Sequence, residues 1–227
     1  MYAQNVERTI TMLITVYVGD LLLIGPADVY ETVAKQMRGD FQLTSLDEVK
    51  HLLGIEITID RAARRVVHCQ GLYNKELLLK FHMATCRCAK TPKPSGTLQV
   101  REHAEGDGSF PYRELVGALG YLVSGSRPDI VHAVRNLGMQ LAIFDVTHYE
   151  LARYVLRYLK ATTDYKLVMD VRDSNEVETL LYTNADYAND PVDRKRISGY
   201  VTMVDGNVIS YASWKQGLNA QSTSEAE

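Results

Sequence analysis

Residues 10–24 read ITMLITVYVGDLLLI, the most apolar run in the chain, and Arg8 stands just before it. A basic residue ahead of an apolar run is the signature of a secretory leader. Here Asp20 interrupts the run and no small-x-small cleavage site follows before Asp28. The run is also shorter than the about 20 residues that a helix needs to cross a bilayer. A buried β-hairpin fits the pattern better. Two β-branched and aliphatic strands, Thr11–Val16 and Leu21–Ile24, meet at Val18-Gly19, where glycine suits a tight turn.

Working outward, the 227 residues are 46% hydrophobic and 23% charged, the balance of a globular chain with a sizeable core. The 25 Lys and Arg against 28 Asp and Glu give a net charge of −3, which excludes a uniformly basic nucleic-acid coat. Three Cys are too few for a disulfide scaffold and suit a reducing compartment, so an intracellular protein of the cytoplasm or nucleus is expected, with no membrane partner.

The segment Asp28–Arg38 places Val29, Val33 and Met37 on one helical face, with Gly39 as its stop. Ser45 and Glu48 have capping-box spacing. Residues 53–59, LGIEITI, alternate as a half-buried strand does, and Val66-Val67 begin its partner after the polar RAARR turn. Residues 70–83 read as a helix with Leu72, Leu77, Leu78 and Phe81 apolar, and 91–108 read as a linker. Pro111 opens a helix through Val123, Pro128 opens one over 129–142, and Thr147 caps a third over 148–161. After a charged, poorly periodic stretch at 164–178, strands are expected at 179–183, 199–204 and 207–212. The last two meet at Asp205-Gly206, whose type I′ turn needs positive φ twice.

Charge is unevenly spread. Between Arg61 and Arg101 nine Lys or Arg face one acid, Glu76, a local net of +8, with acidic flanks at 102–107 and 170–178. Such a strip is either a solvated face or a phosphate-contacting surface. Its candidate contacts are Arg61, Arg64, Arg65, Lys75, Lys80, Arg87 and Lys90. His82, Cys86 and Cys88, with His68 or Cys69, could form a zinc set, although the spacing matches no common finger. Tyr121, Tyr154 and Tyr158 could stack on bases or simply pack at helical spacing.

Tyr17-Val18-Gly19-Asp20 between two apolar strands resembles the Y-V-D-D hairpin of reverse transcriptases, and its surroundings resemble the copia-type retrotransposon polymerase. Leu53-Gly54-Ile55-Glu56-Ile57 is similar to the family's L-G-I-E-I strand leading into the primer grip. Residues 112–117 (YRELVG), 127–130 (RPDI) and 155–160 (VLRYLK) resemble its Y-R-x-L-V-G, R-P-D-I and V-L-R-Y-L-K. Further on, 184–188 (NADYA), 198–201 (SGYV), Lys215-Gln216 and 224–227 (SEAE) resemble the D-A-D-W-A, S-G-Y-V, K-Q and T-E-A-E of an attached RNase H domain.

The resemblance implies an α+β chain in four parts. A partial palm with the primer-grip hairpin spans 1–67, a helical thumb and connection 68–164, a linker 165–178, and a truncated RNase H-like mixed sheet 179–227. It implies RNA-directed DNA polymerisation and RNA-strand hydrolysis within a Pol polyprotein, with Mg²⁺ as cofactor and an RNA or DNA template–primer duplex as partner. Two-metal chemistry needs several converging carboxylates. Gly19 stands where the family has the first hairpin Asp, leaving Asp20 as the single vestigial polymerase acid and weak metal ligand, or as a plain turn residue. Asn184 stands where the first RNase H carboxylate belongs, Asp186 follows two residues on, and Glu227 matches the helix acid. The upstream carboxylate strand is expected before Met1, and the later RNase H acids after Glu227. The expectation is a catalytically inactive chain. The alternatives are a non-catalytic nucleic-acid-binding or structural remnant, and an enzyme active only within a longer polyprotein alongside the remainder of Pol.

Overall fold

The computed structural model describes residues 2–6, 9–44, 48–94, 110–172, 176–186 and 197–216. The chain divides into two units, Met1–Ile57 and Thr58–Glu227. The described residues hold small antiparallel sheets and five α-helices, an α+β arrangement.

In the first unit, strands β1 (Tyr2–Val6), β2 (Thr9–Tyr17) and β3 (Asp20–Ile24) form an antiparallel sheet in the order β1-β2-β3. Tyr17 pairs with Asp20, Val16 with Leu21 and Ile14 with Leu23, so Val18 and Gly19 are the whole turn. Helix α1 (Ala27–Asp40) starts after Pro26, whose φ of −58° is already helical, and packs on β2, with Met12 and Ala34 buried. It runs through Gly39, the expected stop, and ends where Phe41 turns extended. Strands β4 (His51–Leu52) and β5 (Ile55–Asp60) are joined by Leu53-Gly54, both at positive φ (52° and 74°). The expected strand over 53–59 is therefore a type I′ turn for its first two residues. The Ser45 cap lies outside the described residues.

The division between the units falls inside β5. From Thr58 onward the strand turns through Arg61–Arg64 into β6 (Arg65–Cys69), which pairs with β7 (Leu167–Asp170). Strand β7 occupies part of the stretch expected to be a linker. Four helices make the core of the second unit: α2 (Gly71–Lys80), α3 (Tyr112–Gly125), α4 (Val131–Gly138) and α5 (Val146–Ala161). Apolar side chains three and four residues apart on each helix converge in it: Leu77 and Phe81, Leu115, Leu119 and Leu122, Val134 and Leu137, Val155 and Leu159. Tyr112 is fully buried, stacks on Phe144 at 4.7 Å, and donates its hydroxyl hydrogen to the Leu137 carbonyl at 2.7 Å. Burial pushes that hydroxyl above the usual tyrosine range.

Several local expectations change. Leu72 is exposed, because the buried face of α2 is Asn74, Leu77 and Leu78. The helix after Pro128 begins as one 3₁₀ turn, Pro128–Ile130, and α4 ends at Gly138 rather than Ala142. Asp145, not Thr147, caps α5. Its carboxylate accepts the His148 N–H, and the His148 ring accepts the Asp145 N–H, a capping box with histidine in the place of glutamate.

The C-terminal sheet, β8 (Thr179–Asp186), β9 (Ile197–Val204) and β10 (Asn207–Lys215), has the order β10-β9-β8. It is antiparallel throughout its described residues rather than mixed. Asp205 and Gly206 sit at φ 51° and 82°, the expected type I′ turn. Asn207 tethers the sheet to β7 with two hydrogen bonds to the Asp170 backbone (2.7 and 2.9 Å), and the Tyr211 hydroxyl donates to the Val123 carbonyl of α3.

Candidate functional site

The hairpin tip carries the first candidate. Val18 holds the left-handed conformation (φ 51°) and is 95% exposed, whereas Gly19 does not adopt positive φ. A Cβ added at Gly19 would meet nothing within 4 Å. The backbone therefore does not require glycine at position 19, and an aspartate side chain would have room there. Asp20 is exposed at the start of β3. Among the described residues of β1, β2 and β3 it is the only carboxylate. Mg²⁺ takes a near-octahedral shell of oxygens, usually with one or two carboxylates and the substrate's phosphates. One exposed carboxylate beside a side-chain-less residue does not fit the two-metal centre. Among the described residues no three His, Cys, Asp or Glu are grouped to hold a metal, the His82, Cys86 and Cys88 set included.

In the C-terminal sheet, Asn184 pairs with Gly199 and Asp186 with Ile197, on the edge strand β8. Asn184 is exposed. Glu227 lies outside the described residues.

The basic strip is distributed over several elements. Arg61 and Arg64 flank the β5–β6 turn, with Arg64 at φ 53°. Arg65 is bound bidentately to Asp170 across the β6–β7 pair (2.6 and 3.0 Å). That hydrogen-bonded pairing holds the Asp170 carboxyl below its usual range. Lys80 reaches Glu114 at 2.5 Å, while Lys75 is exposed on α2. Arg87 and Lys90 lie exposed in the loop after α2.

That loop forms one wall of a cleft of about 330 Å³ whose other wall is α5. Its lining includes His82, Arg87, Glu150, Arg153, Tyr154 and Arg157. The Arg157 guanidinium lies over the Tyr154 ring at 5.2 Å and donates from Nε to the Arg87 carbonyl at 2.9 Å. Arg153 donates to Glu150 at 2.6 Å. The loop is fixed on α5 by two further bonds, Ala89 N–H to the Arg157 carbonyl (3.1 Å) and Lys160 Nζ to the Cys86 carbonyl (2.7 Å). Arg153 and Arg157 lie outside the basic strip of the sequence. Their i, i+4 spacing, with Tyr154 between them, was the available signal, since it sets both on one face of a helix.

The RPDI segment has a structural task. Arg127, 3% exposed, forks onto Asp129 (2.9 and 2.7 Å), donates to the carbonyl and hydroxyl oxygens of Thr162, and faces the Tyr158 and Tyr165 rings. Burial alone would raise the Asp129 carboxyl. The Arg127 guanidinium and the Tyr158 hydroxyl outweigh it and hold that carboxyl low. Burial and the same carboxylate push Tyr158 up to about 12. Of the three tyrosines considered for base stacking, Tyr158 is thus a core strut and Tyr121 packs edge-on against Tyr73 (4.7 Å), while Tyr154 faces the cleft.

Residues 1–95 match the family described as reverse transcriptase (RNA-dependent DNA polymerase). Over its whole length the chain is 30% identical to the retrovirus-related Pol polyprotein from transposon TNT 1-94 of Nicotiana tabacum, covering 18% of that protein. It is 31% identical to the corresponding polyprotein from transposon RE1 of Arabidopsis thaliana, over 93% of this chain and 14% of the relative. It is also 35% identical to secreted RxLR effector protein 161 of Plasmopara viticola, over 52% of this chain and 82% of that protein. No solved structure matches. The chain thus spans less than a fifth of the length of the two Pol polyproteins. Among the described residues no helix is long and apolar enough to cross a membrane.

Proposed function

Because the chain belongs to the retrotransposon Pol polyproteins, in their reverse-transcriptase part, we propose that it binds a template–primer duplex through its basic side chains without polymerising. The observation that carries the second half is Gly19: a site with open space around it and an unstrained backbone holds no carboxylate. Two-metal polymerisation activates the primer hydroxyl and stabilises the leaving pyrophosphate, and both tasks need ligands that Asp20 alone does not supply. Asn184 weakens the RNase H set in the same way, since an amide oxygen brings no charge to a cation. The binding half rests on the basic residues from Arg61 to Lys90, which meet phosphates without reading base sequence.

A primer-extension assay with Mg²⁺ or Mn²⁺ tests the reading, run beside a Gly19→Asp protein, with duplex retention measured at low salt. Retention without extension is the expected result. Extension by the unaltered chain overturns the inactive reading, and failure to retain duplex at low salt overturns the binding reading.

A second reading is favoured by the length comparison, in which the relatives are more than five times longer: the chain works as one segment of a longer Pol product. Supplying the upstream reverse-transcriptase segment of a relative in the same assay separates the two. Extension that appears only with that segment present supports the longer-product reading.

A further inference from the structure

We propose that the cleft between α5 and the loop after α2 is a nucleotide-phosphate site, in which Arg87 and Arg157 hold one phosphate group, with Arg153, paired to Glu150, lining the same cleft, while Tyr154 packs against the attached sugar or base. The site deepens the proposed duplex-binding function and rests on it.

Three guanidinium groups line one cleft, and a guanidinium fork matches phosphate oxygens in a way that an ammonium does not. The single acid in the lining, Glu150, is bound to Arg153, so the cleft keeps an excess of positive charge. Arg157 is pre-oriented: its Nε–H is bound to the Arg87 carbonyl and its guanidinium carbon stands 5.2 Å from the centre of the Tyr154 ring, which leaves the terminal amino groups to meet a ligand. The Arg87 side chain has no hydrogen bond or ion pair among the described residues, although its backbone is held on α5. Freely solvated lysines would fit a plain charged surface. A loop fixed by three hydrogen bonds to α5, with a guanidinium held over a ring, fits a built site. Its volume of about 330 Å³ exceeds what one phosphate fills and lies in the range of small-molecule sites. The Tyr154 ring gives the remaining space a stacking surface, as single-strand binding surfaces do.

Binding of a short fluorescent single-stranded oligonucleotide by the full chain tests this, with an unlabelled mononucleotide and poly-glutamate as competitors. Arg87→Ala and Arg157→Gln should each weaken oligonucleotide binding about tenfold, the size of a lost charge-assisted hydrogen bond. Each should also lower the salt slope by about one. Arg157→Lys should recover only part of the loss, because it restores charge without the fork. Competition by the mononucleotide identifies a free nucleotide as sufficient; a response to the strand alone assigns the site to backbone phosphate. Arg87→Ala removes no side-chain hydrogen bond or ion pair among the described residues, so its result stands even if the Arg157 proteins are unstable. Unchanged affinity and slope in Arg87→Ala overturn the site while leaving the binding reading intact. Absence of any binding by the unaltered chain, to duplex and strand alike, overturns both. Equal displacement by poly-glutamate with the same arginine dependence marks a general polyanion patch and overturns the phosphate assignment.

Discussion

Val18, not Gly19, bears the conformational cost of the first hairpin. A β-branched residue at φ 51° is a genuine outlier, and its side chain is almost wholly in solvent, so no packing compensates it. Val18→Asn should therefore stabilise the chain by about 1 kcal/mol in urea unfolding, near the penalty for an L-residue in the left-handed region. Gly19→Asp should shift stability by no more than about 0.5 kcal/mol, as expected of a surface change with open space around it. That neutrality makes it a clean probe of chemistry. The opposite behaviour belongs to Arg127. Arg127→Ala strands the half-buried Asp129 carboxylate and should cost about 3–5 kcal/mol. The pH dependence has a definite sign. Asp129 and Asp145 both have folded-state values held below the ordinary one, Asp129 by Arg127 and Asp145 by the backbone N–H groups of His148 and Thr147, each against the opposing effect of burial. Their stabilisation is present above the unfolded aspartate value of about 4 and is lost as pH falls through the lower folded values. In acid titrations followed by circular dichroism, Asp129→Asn should flatten the acid limb of the stability curve.

Strand β8 poses a different problem at the level of elements. It is the edge of its sheet over the described residues, and Leu181 and Tyr182 stand 63% and 59% exposed on it, with no lysine or proline among its residues to discourage pairing. Leu181→Lys should lower light scattering on concentration and leave the melting temperature nearly unchanged. The elements differ in how far the sequence reveals them, and the reason is the range over which each is determined. The β2–β3 and β9–β10 hairpins are legible because turn and strand signals lie within a few residues, as in Val18-Gly19 and Asp205-Gly206. Leu53-Gly54 misleads because two positive-φ residues hide inside an alternating pattern. Strand β7 is invisible beforehand: four residues in a charged stretch become a strand only through Arg65 and Asp170, more than a hundred positions apart. Gly39 is passed by a single residue before α1 ends, because glycine costs a helix only about 1 kcal/mol. The candidate site follows the same rule. The proposed losses at Gly19 and Asn184 are read from the sequence against a motif, whereas the cleft joins Arg87 to Arg157 across seventy residues and needs the fold to appear.

For the proposed duplex binding, the property of the whole molecule that matters is its net charge of −3. Long-range attraction to a polyanion is unfavourable on average, so affinity must come from local basic groups and should fall steeply with salt. The fold has already committed part of the +8 strip. Arg65 is engaged by Asp170 and Lys80 by Glu114, so these cations offer less to a phosphate than their number in the sequence suggests. Lys75, exposed on α2 and without an ion pair among the described residues, keeps its full charge for a ligand. Two charge reversals should therefore behave differently. Lys75→Glu should leave the melting temperature unchanged and lower the slope of log affinity against log salt by about one, the signature of one lost phosphate contact. Arg65→Glu would place a second acid opposite Asp170 on the neighbouring strand, where like charges directly paired are destabilising. It should lower the melting temperature while altering the slope less. Duplex titrations at several salt concentrations, paired with thermal melts of both proteins, read the two effects separately. Equal slopes for Lys75→Glu and the unaltered chain would remove α2 from the phosphate-contacting surface and leave the cleft on α5 as its centre.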